Sequence, residues 1–183
     1  AQAMCAPQFL GAADAGCDAA LIVTPFYYKN SMTGEALKKH YFTIADQSPI
    51  PVMIYNVPAN TGLNVASSIV AEIAQHPKVV GIKDSAGDIN QLAETVRLTR
   101  SKRSERSEAE SKSAPPSTTA SLRSAYVHAL SDAQHRGRAG QDAGEFIVFS
   151  GNYGAMLPSL SFGVVGGILA VSNIAPNECV QIF

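Results

Sequence analysis

Between residues 14 and 98, short apolar runs take turns with segments of helical period. Residues 19–23, 51–55 and 79–82 are almost continuously apolar, so they do not read as strands with one wet face. Strands covered on both sides have this look, and sheets of such strands are parallel, because the crossover helices lie on their faces. The helical segments fall between the runs. Residues 34–46 carry Leu37, Tyr41 and Ile44 at spacings of four and three, and 65–74 carry Ile69, Val70 and Ile73 on one side. Residues 88–98 carry Ile89, Leu92 and Val96, with Asp88 placed as an N-cap. This order predicts an α/β fold with a parallel sheet. In that class the C-terminal strand ends carry the chemistry, and every strand here ends in polar residues.

The alternation breaks at residues 101–145. That stretch is crowded with Ser, Arg, Glu and Ala and contains Pro115-Pro116-Ser117-Thr118-Thr119. It reads as a low-complexity insertion without fixed structure, apart from a weak amphipathic helix near 122–130. The pattern resumes with a strand at 146–149 that stops at Ser150-Gly151-Asn152. A short helix at 155–162 and a glycine-containing strand at 164–171 follow. The chain of 183 residues therefore divides into one α/β unit, residues 1–100 and 146–183, and an insertion at 101–145.

Charge excludes several partners. Fourteen basic residues against fifteen acidic ones leave a net charge of -1, which gives no footprint for nucleic acid or an anionic membrane. The insertion lacks a dense basic run with interleaved aromatics, so no nucleic-acid role is expected of it. No apolar run approaches the roughly 18–20 residues of a membrane span. Cys5, Cys17 and Cys179 are an odd number without CxxC spacing, which speaks against a disulfide framework or a zinc site. Residues 1–16 lack a charged stretch followed by an apolar one, so the expectation is a reducing, cytoplasmic or mitochondrial compartment and not secretion. His40, His76, His128 and His135 show no metal-binding spacing, and no metal or organic cofactor is expected.

Two residues stand out on chemical grounds. Tyr55 and Lys83 each follow an apolar strand, Val52-Met53-Ile54 and Val79-Val80-Gly81-Ile82, and both should meet at the mouth of the sheet. A lysine leaving such a strand is expected to be partly desolvated, which favours the neutral, nucleophilic amine. Asp84 is its neighbour in sequence but should face the opposite way. A neutral amine can form a Schiff base with a ketone, and a phenol beside it can move the protons.

The stretch Tyr55-Asn56-Val57-Pro58-Ala59-Asn60-Thr61-Gly62, followed by Gly81-Ile82-Lys83-Asp84-Ser85, resembles the family of dihydrodipicolinate synthase and N-acetylneuraminate lyase. Its members are Schiff-base aldolases and synthases on a (β/α)8 barrel. Thr24-Pro25-Phe26-Tyr27-Tyr28 is similar to that family's motif after the fourth strand. Ser150-Gly151-Asn152 and Gly166-Gly167-Ile168 are similar to the ends of its seventh and eighth strands. The resemblance implies that Lys83 is the Schiff-base lysine for pyruvate or another 2-oxo acid and that Tyr55 is its proton-relay tyrosine. Tyr27 would be the tyrosine inserted into a neighbouring subunit's site, implying a homodimer or homotetramer. Gly151 and Ile168 would line the pocket, the latter through its backbone.

The resemblance also bears on the substrate. Synthases of the family carry an arginine where this chain has Asn60, and a neutral amide cannot make the same bidentate pair with a carboxylate. The Ala59-Asn60-Thr61-Gly62 version resembles eukaryotic 4-hydroxy-2-oxoglutarate aldolase, which releases pyruvate and glyoxylate. A 2-keto-3-deoxy sugar acid aldolase and the dihydrodipicolinate synthase itself are the alternatives. Only five of eight strands are expected, a partial TIM barrel. The family's first three strands, with the motif whose threonines hold the pyruvate carboxylate, are not found in this sequence. A catalytically incompetent barrel fragment with exposed sheet edges is therefore a further reading.

Overall fold

The structure is a computed structural model and describes residues 5–111 and 146–181. Five strands form one sheet: β1 (Ala20–Val23), β2 (Val52–Asn56), β3 (Val79–Asp84), β4 (Ile147–Ser150) and β5 (Gly166–Gly167). Their spatial order follows the chain and every pairing is parallel. That is the arrangement of successive βαβ units wound in one direction, the arc of a barrel. The pairing of β2 with β3 shifts register once: Val52 pairs with Val79, but Met53 pairs with Gly81, so Val80 is an extra residue in β3.

The helices are α1 (Cys5–Asp14), α2 (Gly34–Gln47), a single turn α3 (Pro58–Thr61), α4 (Ser67–Ile73), α5 (Ile89–Ser111), α6 (Tyr153–Leu160) and α7 (Pro176–Gln181). Their starts follow local chemistry. The Thr33 hydroxyl accepts from the Ala36 N–H at 3.2 Å. Asp88 Oδ1 accepts from Asn90 and Gln91 N–H at 2.9 and 3.1 Å, as its place before Ile89 predicts. The Asn152 side chain accepts from Gly154 N–H at 2.9 Å and opens α6.

The core lies between one face of the sheet and α2, α4, α5 and α6. Leu37, Tyr41 and Ile44 of α2, Val70 and Ile73 of α4, and Leu92 and Val96 of α5 are buried against Val52, Ile54, Val79, Ile82 and Val148. Tyr41 is fully buried, and its hydroxyl donates to the Ile22 carbonyl at 3.1 Å. Burial pushes that phenol's pKa well above its ordinary value.

Four local expectations need correction. The helix read over 88–98 runs on to Ser111, into the stretch assigned to the insertion. Residues 101–111 are Ser, Lys, Arg, Glu and Ala without Pro or Gly, so nothing in them stops a helix already started. The remaining 112–145, including the helix read near 122–130, lie outside the described residues. Second, the strand read over 164–171 shrinks to Gly166–Gly167, and Ala170–Asn173 turn into a 3-10 segment. Third, Ile89 stays exposed while Leu92 and Val96 are buried, because the first helical position precedes the packed stripe. Last, β1 is not covered on both faces: Leu21 and Val23 remain exposed.

Candidate active site

Tyr55 and Lys83 are register partners across β2 and β3, so their side chains leave the same face of the sheet side by side. This face lies opposite the helices. The Lys83 amine sits 4.2 Å from the centroid of the Tyr55 ring, inside the roughly 6 Å within which a cation and an aromatic face attract. Both residues are half-buried. The amine is thus neither adrift in solvent nor sealed from a small ligand.

The neighbours keep this corner narrow. The Gly151 N–H donates to the Asp84 carbonyl at 2.6 Å, which draws the end of β4 against β3. A Cβ on Gly151 would run into the Ser85 hydroxyl and stand 3.0 Å from Cε of Lys83. Glycine at 151 therefore leaves the space that the lysine side chain uses. Gly81 does the same one layer deeper, where a Cβ would stand 3.0 Å from Cε of Met53 and close on the Ile147 carbonyl. The Ile168 N–H donates to the Ser150 carbonyl at 2.9 Å and fixes the chain leaving β5, with the side chain outward.

Asp84 faces away from Lys83, as strand alternation predicts. It is buried, and its carboxylate accepts from the Ala86 N–H at 2.7 Å, Asn56 Nδ2 at 3.1 Å and Gln91 Nε2 at 3.0 Å. Thr24, just beyond β1, donates its N–H to the Tyr55 carbonyl at 3.2 Å. Its buried hydroxyl has no partner among the described residues.

The remaining sequence candidates sit further out. Asn60 is exposed on α3, in the turn that closes at Gly62, where φ is +65°. Tyr27 is 84% exposed in the loop after β1 and stacks edge-on with Tyr28 at 5.0 Å. Among the described residues neither shares a hydrogen bond or ring contact with Lys83 or Tyr55, so the structure brings together Lys83, Tyr55 and Gly151 and leaves Asn60 and Tyr27 further out. Ser85 was missed by the sequence reading. Its position two residues after Lys83 was the available signal, since it puts the hydroxyl on the lysine's face. Gln91 and Asn64 were also missed, because no sequence spacing announces a hydrogen bond between a helix and a distant loop. Among the described residues no group of three or more His, Cys, Asp or Glu could hold a metal ion, and no helix is long and apolar enough to cross a membrane.

A lysine amine thus lies over a phenol ring at the C-terminal ends of adjacent parallel strands in a barrel arc, where folds of this class carry their chemistry. The profile of the Dihydrodipicolinate synthetase family matches residues 9–104, and the chain belongs to this family. It is 32% identical over 172 residues to the 4-hydroxy-tetrahydrodipicolinate synthase of Methanospirillum hungatei, covering 94% of this chain and 44% of that protein. A shorter match, 49% identical over 83 residues, joins 45% of the chain to 28% of the synthase of Thermodesulfovibrio yellowstonii. The dihydrodipicolinate synthase of Thermotoga maritima superposes with a TM-score of 0.70 at 29% identity, over 99% of this chain and 48% of that one. The chloride-inhibited synthase of Acinetobacter baumannii, solved with pyruvate, gives the same TM-score at 25% identity, over 99% of this chain and 47% of that one. The chain thus spans less than half the length of these relatives.

Proposed function

We propose that Lys83 forms a Schiff base with the carbonyl of pyruvate or a pyruvate-yielding 2-oxo acid, and that a carbon–carbon bond is made or broken beside it. The observation that carries this is the amine held 4.2 Å over the Tyr55 ring. The amine attacks C2, water leaves, and the iminium withdraws electrons from the bond between C3 and C4. In the cleavage direction that bond breaks into an enamine and an aldehyde. The Tyr55 hydroxyl acts as a relay, accepting the proton of the C4 hydroxyl as it gives its own to C3 of the enamine. Hydrolysis then frees the amine and releases pyruvate. Run backwards, the same steps condense pyruvate with an aldehyde.

The names of the relatives support the condensing direction, that of a dihydrodipicolinate synthase. A second reading, cleavage of 4-hydroxy-2-oxoglutarate to pyruvate and glyoxylate, rests on Asn60. No guanidinium stands at that position to receive a second substrate's carboxylate. Tyr27 reaching into the site of a second copy belongs to the same reading, and its exposure leaves it available for that.

Incubation with pyruvate and borohydride, followed by peptide mass spectrometry, should place a reduced adduct on Lys83. Lys83→Ala should abolish it. A folded sample without the adduct would overturn the proposal and leave a barrel fragment without this chemistry. Glyoxylate released from 4-hydroxy-2-oxoglutarate would favour the second reading over the synthase.

A further inference from the structure

We infer that Asp84 is a positioning residue for the Lys83–Tyr55 pair, acting through a closed ring of side-chain amides on the far side of the sheet. The inference rests on the Schiff-base reading and adds to it the device that holds the lysine in place.

Asn56 and Asp84 are register partners one step beyond Tyr55 and Lys83, and both are buried. Asn56 Nδ2 donates to Asp84 Oδ2 at 3.1 Å and to Asn64 Oδ1 at 2.8 Å, while its Oδ1 accepts from the Val65 N–H at 3.2 Å. Gln91, in the first turn of α5, donates from Nε2 to the same Asp84 oxygen at 3.0 Å and to Asn64 Oδ1 at 3.1 Å. Its Oε1 accepts from Asn64 Nδ2 at 2.7 Å. The other Asp84 oxygen accepts from Ala86 N–H at 2.7 Å. On the main chain, the Asp84 carbonyl accepts from Gly151 N–H at 2.6 Å, and Ser85 N–H donates to the Asn56 carbonyl at 2.8 Å. Residue 84 therefore joins β2, β3, β4 and α5 at the level where Lys83 leaves the sheet.

The donors named to this buried carboxylate are all neutral. Burying an anion in such surroundings costs more than burying an apolar residue of similar size, so stability alone does not favour it. What a carboxylate alone offers is acceptance on both oxygens. Asparagine would turn an NH2 group toward one set of donors and open the ring on that side. The strand end would then be free to shift, and a displacement of about 1 Å is enough to cost on the order of 100-fold in a reaction that depends on approach geometry.

The test measures the rate of borohydride trapping at Lys83 against pyruvate concentration, in the full chain and in Asp84→Asn. The maximal rate per folded molecule should fall by about 10- to 100-fold. The pyruvate concentration at half-maximum should move by less than about threefold. A merely structural role would lower the folded fraction and the adduct yield together, with the rate per folded molecule unchanged, and that result overturns the inference. Should Asp84→Asn not fold, Gln91→Ala removes one donor at the helix, and the same loss of maximal rate, smaller in size, is required of it. Wild-type protein without an adduct sinks the Schiff-base reading together with the inference. Wild-type adduct with full-rate trapping in the variants sinks the inference alone.

Discussion

On the helix side of the sheet, Val52, Ile54, Val79 and Ile82 are completely buried. On the opposite side of the same sheet, Leu21 and Val23 of β1 retain 41% and 38% exposure, and Tyr55 and Lys83 are half-buried. Alternate residues of one backbone thus serve two purposes. The helix side is packed with Leu, Ile and Val from three helices and Ala155 from a fourth, and fixes where the strands lie. The other side has Gly81 and Gly151 at its tightest points, and it carries the Lys83 amine. Stability and chemistry are separable here in a way that single substitutions can probe.

The largest effect should come from the packed side. Ile82→Ala leaves a cavity in a fully buried layer and should lower unfolding free energy by about 2–5 kcal/mol, read from urea denaturation. Trapping at Lys83 per folded molecule should stay near wild type; a proportional loss would break the separation of the two faces. Tyr55→Phe tests the other side. It keeps the ring under the amine and removes the phenolic proton, so the rate of carbon–carbon bond chemistry should fall by about 100-fold, near 2.7 kcal/mol, while the urea midpoint barely moves.

A smaller effect concerns His40 on α2, whose Nε2 is buried without a partner among the described residues. Burial holds its imidazole below the ordinary value of 6.5. The unfolded chain then binds a proton more readily than the folded one, so this contribution is intact above the ordinary value and stability declines as pH falls below it. In His40→Phe the decline between about pH 7 and about pH 5 should be shallower, measured by denaturation at stepped pH. Glu94→Gln, which opens the exposed contact of Glu94 with Arg97 at 2.7 Å, should leave the melting temperature unchanged within error.

Much of the packed side was legible in the sequence, because burial on a strand or helix leaves a period. The runs ending at Tyr55 and Ile82 and the stripe Leu37, Tyr41, Ile44 fall where hydrophobic spacing puts them. The lysine and tyrosine were legible as polar residues closing apolar runs. What no period records is pairing across distance. The ring of Asn56, Asn64, Asp84 and Gln91 joins residues as far apart as 56 and 91, and each taken alone reads as an ordinary loop or helix-start residue. The length of α5 was missed for the opposite reason, since a charged, serine-rich stretch looks unstructured when nothing apolar marks a face.

The extra residue at Val80 has a consequence for parity. Paired positions of parallel strands point the same way, so if Val80 were paired in the ladder instead of bulging from it, Tyr55 would stand opposite Ile82, and Lys83 would stand opposite Asn56, under the helices. Leaving that one residue out of the pairing lets the amine and the phenol emerge together. A slip of β3 that drew Val80 into the pairing would turn the lysine over toward the helices while altering nothing in the motif that surrounds it. A relative could thus keep every hallmark residue of the site and still be unable to assemble it.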